Sequence, residues 1–277
     1  MSSYTEPGTF IDIAGNGAVT ADQRGHVLLV TINRPEARNA VNLDVTFGIG
    51  EALDHAEADH TVWAVIITGA GDKAFCAGAD LKAAARGELT DVADPRAARW
   101  GFAGYVAHHI SKPTIAAVNG FALGGGTELT LASDLAVAVD TASFGLPEVK
   151  RGIVAGAGGA FRLPRQIPRK VAMEAILTGD PIPAQRALEL GLVNKVVPAE
   201  SLLEEAFALA DRILVNAPLA VQSAKRIAQG IDEQAVPAEA DDWARSARDA
   251  AGIMSSEDST EGMRAFAEKR APVWQGK

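Results

Sequence analysis

Short apolar runs, each ended by a glycine- or proline-marked turn, alternate along this chain with stretches of helical periodicity. Val27-Leu28-Leu29-Val30-Thr31-Ile32 has the continuous apolar character of a buried strand, and Asn33-Arg34-Pro35 stops it. Asn42 or Asp44 can cap a helix that runs to about His60. Trp63–Thr68 reads as a second buried strand, halted by Gly69-Ala70-Gly71-Asp72, and a helix starts at Leu81-Lys82. Residues 86–96 read as irregular, with a helix after them to about Ile110. Pro113–Val118 and Asp134–Val139 are further strands, and Gly124-Gly125-Gly126 between them leads into a helix over Thr127–Ala132. A glycine-rich stretch at 152–159 precedes a helix over 160–177. Repeated strand, glycine turn and helix predict an α/β fold with parallel strands and helical crossovers, wound as a stacked spiral rather than one flat sheet.

Outside this rhythm lie two segments. Residues 1–20 read as a loose leader, and residues 21–200 as the core. Residues 201–277 are nearly all helical in period, broken at Pro218, Gly230, Pro237 and Gly252. Helices without a sheet of their own must pack on the core or form a subunit interface.

Composition narrows the function. The chain is 48% hydrophobic and 22% charged, ordinary values for a soluble globular protein. Only 5% is aromatic, so the core must rest on Ala, Val, Ile and Leu. A net charge of −9 removes the basic footprint of a nucleic-acid binder, so an anionic ligand needs a local cluster of Lys and Arg. The single cysteine, Cys76, cannot form an internal disulfide and reads as a small buried side chain. No apolar run reaches membrane-spanning length and the first residues lack a signal-peptide pattern, so the expected location is cytoplasmic. No cluster has metal-ligand spacing, and no bound metal or cofactor is expected.

The chemistry concentrates in three glycine-bearing loops. Glu128 follows Gly124-Gly125-Gly126-Thr127, and Glu148 ends Phe144-Gly145-Leu146-Pro147-Glu148. Upstream lies Phe75-Cys76-Ala77-Gly78-Ala79-Asp80. Glycines let backbone N–H groups approach a ligand, and two carboxylates facing one water can divide acid and base roles. Together these parts point to proton chemistry beside a carbonyl held by backbone N–H groups. Each loop taken singly is also what a tight strand–helix turn looks like, and each glutamate what a surface charge looks like. Asp80 precedes a helix and reads as its cap, and Asp134 as structural.

The ordered series Asn33-Arg34-Pro35, Asn39-Ala40, Ala74–Leu81, Ala117–Gly120, Gly124–Leu129, Phe144–Glu148, Gly156–Gly159 and Glu261-Gly262-Met263 with Phe266 and Glu268-Lys269-Arg270 resembles the enoyl-CoA hydratase/isomerase (crotonase) family from about Val27 to Arg270. The resemblance implies a crotonase-like spiral of repeated ββα units with a C-terminal helical segment for oligomerisation. It also implies an oxyanion hole for a thioester carbonyl at the N–H groups of Ala79 and Gly125. Glu128 and Glu148 fall on the two glutamate positions of the hydratases: Glu128 would take a proton from the attacking water, and Glu148 would deliver one to C2. Coenzyme A, as part of the substrate, would be met by Arg34, Arg38, Ala40, Ala77 and Lys82, with Phe266 and Lys269 reaching the adenine end from a neighbouring subunit. A homotrimer or hexamer is implied. Residues 83–105 match the segment that shapes the acyl pocket, where Trp100, Phe102 and Tyr105 are candidate lining residues.

The sequence departs from the family pattern at Ala155, Thr127 and Ala160-Phe161-Arg162, and Thr127 is placed to orient Glu128 or the water. The leading expectation is a 2-enoyl-CoA hydratase of the kind used in fatty-acid β-oxidation. An isomerase, a dehydratase for a hydroxylated or carnitine-like acyl-CoA, and a non-catalytic acyl-CoA-binding protein stay open beside it. Two carboxylates favour water addition or removal over isomerisation.

Overall fold

The computed structural model describes residue 4 and residues 8–88 and 94–277. Its strands are β1 (Thr9–Ile11), β2 (Val19–Arg24), β3 (Val27–Ile32), β4 (Ala64–Gly69), β5 (Ala74–Cys76), β6 (Thr114–Val118), β7 (Phe121–Leu123), β8 (Leu135–Val139), β9 (Ser143–Gly145), β10 (Ile182–Pro183) and β11 (Lys195–Val197). The helices are α1 (Leu43–Ala58), α2 (Leu81–Ala85), α3 (Pro95–Trp100), α4 (Gly125–Ala132), α5 (Gly159–Gln166), α6 (Arg169–Thr178), α7 (Ala184–Glu189), α8 (Leu202–Leu214), α9 (Pro218–Gln229), α10 (Ala240–Met254) and α11 (Glu257–Ala267). Among the described residues, no helix is long and apolar enough to cross a membrane.

The strands form two sheets. The larger has the order β1-β2-β3-β4-β6-β8-β11 and the smaller β10-β9-β7-β5. From β3 to β11 the large sheet is parallel, as are the β5–β7 and β7–β9 pairs. All residues of β4 and β6 are buried, as parallel strands covered on both faces require. Helix α1 packs on β2 and β3, and α8 packs on β4, β6 and β8. Asn42 caps α1, its side chain accepting from the N–H of Val45 at 3.1 Å.

A repeated step winds the chain. One strand enters the large sheet, the next enters the small sheet, and a helix or turn follows: β4, β5, α2; then β6, β7, α4; then β8, β9 and the 3-10 turn Pro147–Arg151. Because β5, β7 and β9 are parallel neighbours, the segments that leave their C-terminal ends lie side by side. This places the Gly78, Gly124 and Glu148 loops together. The α/β spiral expected from the sequence is the observed architecture.

Four local expectations are corrected. The supposed leader contributes β1 and part of β2, because β3 offers its backbone edge to a sequence, Val19–Arg24, with no apolar run. The helix expected to reach Ile110 ends at Trp100, where Gly101, Ala103 and Gly104 all take positive φ. The helix over 160–177 is two, α5 and α6, parted at Ile167-Pro168, since proline has no N–H to continue the ladder. Gly252 lies inside α10 and breaks nothing. Part of the 86–96 stretch, residues 89–93, lies outside the described residues.

The C-terminal helices are divided in use. Residues leading into and within α10 cover α5: Arg162 pairs with Glu239, Arg165 with Asp242, and Phe161 meets Trp243 edge-on. Helix α9 buries none of its residues and exposes Leu219 and Ile227.

Fully buried Asn39 ties three segments together. Its amide donates to the carbonyls of Ala70 (2.9 Å) and Ala74 (2.7 Å), and its oxygen accepts from the N–H of Arg34 (3.0 Å). Asn39→Ala removes these three bonds, with the Asn119 amide still donating to the Ala74 carbonyl at 3.4 Å, and is expected to cost about 2–3 kcal/mol, to be read from the urea midpoint.

Candidate functional site

The site begins with two backbone N–H groups. Beyond β5 the chain turns at Gly78, φ +90°, and presents Ala79 before Asp80 caps α2 by accepting from Lys82 and Ala83. Beyond β7 it turns at Gly124, φ +56°, and enters α4 at Gly125. A side chain at Gly78 would come within 3.3 Å of the Gly125 nitrogen, so the two turns are in contact. Among the described residues, neither the Ala79 nor the Gly125 N–H donates to a backbone acceptor. Gly125 also opens a helix, where the peptide dipoles favour negative charge. The pair has the elements of an oxyanion hole.

Glu128 lies one turn into α4, and only 3% of its surface is exposed. Its Oε1 accepts from the Gly159 N–H at 2.9 Å, at the start of α5. Any side chain at 159 would sit 3.0 Å from that oxygen and 2.8 Å from Leu146. Burial, reinforced by the charge of Glu148, pushes the Glu128 carboxyl up to about 8. Glu148 lies half-buried in the turn Pro147–Arg151 that follows β9. One oxygen lies against Gly124, where a Cβ would approach it to 2.7 Å, and the other is buried with no hydrogen-bond partner among the described residues. Burial raises its pKa to about 7, the direction that apolar Leu146 and Pro147 suggest. Both carboxyls therefore keep their protons to higher pH than an exposed glutamate.

Sequence reasoning missed Gly159 as the partner of Glu128. The available signal was the Gly158-Gly159 pair at a helix start, a place for unpaired N–H groups. Thr127 does not orient Glu128. Its hydroxyl bonds Ala122 O at 2.6 Å and accepts from Gly145 N–H at 2.8 Å, fastening β7 to β9. Cys76 is buried, with its thiol pushed up to about 12 by burial, and its sulfur accepts from the Gly78 N–H at 3.4 Å. It shapes the turn and is not a nucleophile.

The other predicted residues divide into those the fold gathers and those it does not. Ala77 N–H donates to Arg38 O, Val41 N–H to Gly78 O, and Asp80 N–H to Val41 O, so residues 38–41 run beside 77–80. Arg38 and Lys82 are exposed there. Arg34 is held within the loops, bonded to Ala40 O at 2.5 Å and to Asp80 at 2.9 Å. Phe102 reaches the site, its ring edge so close to Gly125 that a Cβ there would overlap it at 2.2 Å. Trp100 and Tyr105 do not share that position. Trp100 is fully buried between Gly50 and the His108 ring, and Tyr105 bonds Ser133 at 2.8 Å inside the core. Phe266 lies under the Arg151 guanidinium at 4.3 Å, and Lys269 is exposed past the end of α11.

The enoyl-CoA hydratase/isomerase family model matches residues 22–277. The chain belongs to the enoyl-CoA hydratase/isomerase family. It is 44% identical over 258 residues to a carnitinyl-CoA dehydratase of Salmonella typhi, covering 92% of this chain and 97% of that one. It is similar to the crystal structure of a carnitinyl-CoA hydratase from Mycobacterium avium, with 58% identity, a TM-score of 0.91, and coverage of 95% of this chain and 100% of that one. An enoyl-CoA hydratase structure from Mycobacterium tuberculosis H37Rv is 45% identical with a TM-score of 0.72, covering 95% and 100%. In this member of the family, two backbone N–H groups with no backbone acceptor among the described residues lie beside a buried and a half-buried carboxyl.

A raised carboxyl pKa opposes folding above the unfolded value. Between about pH 4.5 and 7 the unfolded Glu148 ionises while the folded one keeps its proton, so stability falls as pH rises through that window. Glu148→Gln removes this loss. Relative to wild type, the variant is expected to gain stability from pH 4 to pH 8, by at most about 3 kcal/mol, measured by denaturant titration at both pH values.

Proposed function

We propose that this chain is a hydro-lyase that interconverts a 3-hydroxyacyl-CoA and its 2-enoyl-CoA, with a carnitine-like acyl group. The observation that carries the reaction class is buried Glu128 beside half-buried Glu148, one of whose oxygens is withdrawn from water, next to the N–H groups of Ala79 and Gly125, which among the described residues donate to no backbone acceptor. An isomerase needs only one proton shuttle, whereas two facing carboxyls serve both a carbon and an oxygen. The carnitine-like acyl group is supported by the relatives at 44% and 58% identity, whose names carry it. This moves the reading from the generic hydratase to the specialised dehydratase that the sequence held as an alternative.

In the dehydration direction, the thioester oxygen lies on the N–H groups of Ala79 and Gly125. Ionised Glu148 takes the C2 proton, and the electron pair moves onto the held oxygen as an enolate. The enolate collapses to the C2–C3 double bond as the C3 hydroxyl leaves, protonated by Glu128, as water. The proton count on the pair is unchanged, so the reverse path adds water with the roles exchanged. Phe102 forms a wall next to the carbonyl site, and exposed Arg38 and Lys82 supply positive charge for the phosphates of coenzyme A. Assembly as a trimer or hexamer is part of this reading, supported by exposed Val215, Leu219 and Ile227 on and beside α9.

The test is to supply carnitinyl-CoA and 3-hydroxybutyryl-CoA and follow the ultraviolet absorbance of the conjugated thioester. A kcat/KM at least about tenfold higher for carnitinyl-CoA is expected, roughly 1.4 kcal/mol of discrimination. Equal or reversed values would return the reading to a generic hydratase. Glu128→Gln and Glu148→Gln should each lower kcat by about 10²–10⁴-fold, and a fully active variant at either position would remove the two-carboxyl mechanism. The pH profile of kcat/KM should be a bell with its limbs near the values of the pair, about 7 and about 8. Below it both carboxyls hold protons, and above it neither does.

A further inference from the structure

We infer that α11 is a positioning element for Glu148, acting through a glycine-to-glycine joint with the turn that carries it. The turn Pro147–Arg151 buries none of its residues completely, so no side-chain core of its own fixes it. It is held by neighbours that approach its backbone. On one side, a Cβ at Gly152 would meet the Asp258 carbonyl oxygen at 2.3 Å and the Ser259 Cα at 3.0 Å. Reciprocally, a Cβ at Gly262 would meet the Arg151 carbonyl oxygen at 2.2 Å and the Gly152 nitrogen at 3.0 Å. Two backbones meet there with no room for a methyl group on either. On the other side, a Cβ at Gly179, past the end of α6, would lie 3.2 Å from the Pro147 Cα, and Lys150 pairs with Asp180 at 2.6 Å.

The joint is braced from α11 outward. Arg151 sits over the Phe266 ring, one helical turn beyond Gly262. The C-terminal tail is fastened to the helix, with Gln275 and Gly276 N–H donating to Asp258 at 2.6 and 2.9 Å. Val273 N–H donates to Glu261 at 2.9 Å, and Arg264 and Arg270 also hold that carboxylate. The turn reaches Glu148 directly, since Ile153 N–H closes on the Glu148 carbonyl at 3.2 Å. Displacing α11 by the width of a methyl group displaces the Arg151–Gly152 peptide, and through the Ile153–Glu148 hydrogen bond it shifts Glu148 and admits water to its carboxyl. Phe266 thus acts inside its own chain, on the turn that bears Glu148.

The kinetic part rests on the reading of Glu148 as the group that exchanges the C2 proton. The test therefore has a readout that needs no substrate. In Gly262→Ala, kcat is expected to fall about tenfold to a hundredfold with KM for the CoA thioester nearly unchanged. The acid limb of the pH profile should move to lower pH, because a hydrated Glu148 ionises more easily. Infrared titration of the Glu148 carboxyl in a Glu128→Gln background should move the same way. Phe266→Leu, which introduces no clash, should give a smaller shift in the same direction, and it carries the test if Gly262→Ala does not fold. Gly252→Ala in α10, where a Cβ meets nothing within 4 Å, is the control and should change neither. A folded Gly262→Ala or Phe266→Leu with an unmoved carboxyl titration would overturn the inference, even if its melting temperature fell. Loss of the hydro-lyase reading would show separately, as a Glu148→Gln enzyme with full activity.

Discussion

Two neighbouring carboxyls, Glu128 buried and Glu148 with one oxygen withdrawn from water, are the constraint on which the candidate site depends. Ionising both would place two negative charges in apolar surroundings, a cost at Glu128 that the backbone N–H groups of Gly159 and Ala157 and the charge of Arg162 offset only in part. Both instead stay protonated to higher pH than exposed glutamates, and the desolvation responsible also lowers stability. A cost of this kind is characteristic of sites where folding free energy is given up for function.

That constraint explains why glycines surround the pair. Gly124 borders one carboxyl and Gly159 the other, while Gly78 and Gly125 bring the two turns together. At each place the useful group is a peptide N–H or empty space, and a side chain would fill it. Backbone donors need accurate placement, which the small sheet provides. Parallel pairing of β5, β7 and β9 sets the order of the three segments, and the Thr127 hydroxyl locks β7 to β9 directly under Glu128. Hydrogen bonds that first look incidental to the chemistry fix its geometry.

The segment from Pro95 to His108 shows how one stretch can serve both core and pocket. Trp100 and Tyr105 anchor it in the interior, against His108 and Ser133, and the positive-φ residues between them swing Phe102 out to Gly125. The aromatic side chains are near neighbours in sequence and different in use. At the other end of the chain, α11 does similar work from outside, bracing a turn that has no core of its own.

The α/β rhythm, the parallel strands and the three glycine loops are legible in the chain, because buried strands and tight turns leave strong local signals in hydrophobic runs and glycine placement. The two glutamates are legible as well, since each stands in such a loop. Folding supplied what local pattern does not encode. It added β1 and β2 to the sheet through backbone pairing with β3, and it separated Phe102 from Trp100 and Tyr105 through backbone turns at 101–104. It gave Glu128 its Gly159 partner, 31 residues away, and brought α11 against the Glu148 turn. The physical reason is common to all of these: pairing, burial and close approach belong to residues distant in sequence, and they exist only once the sheets have set those residues side by side.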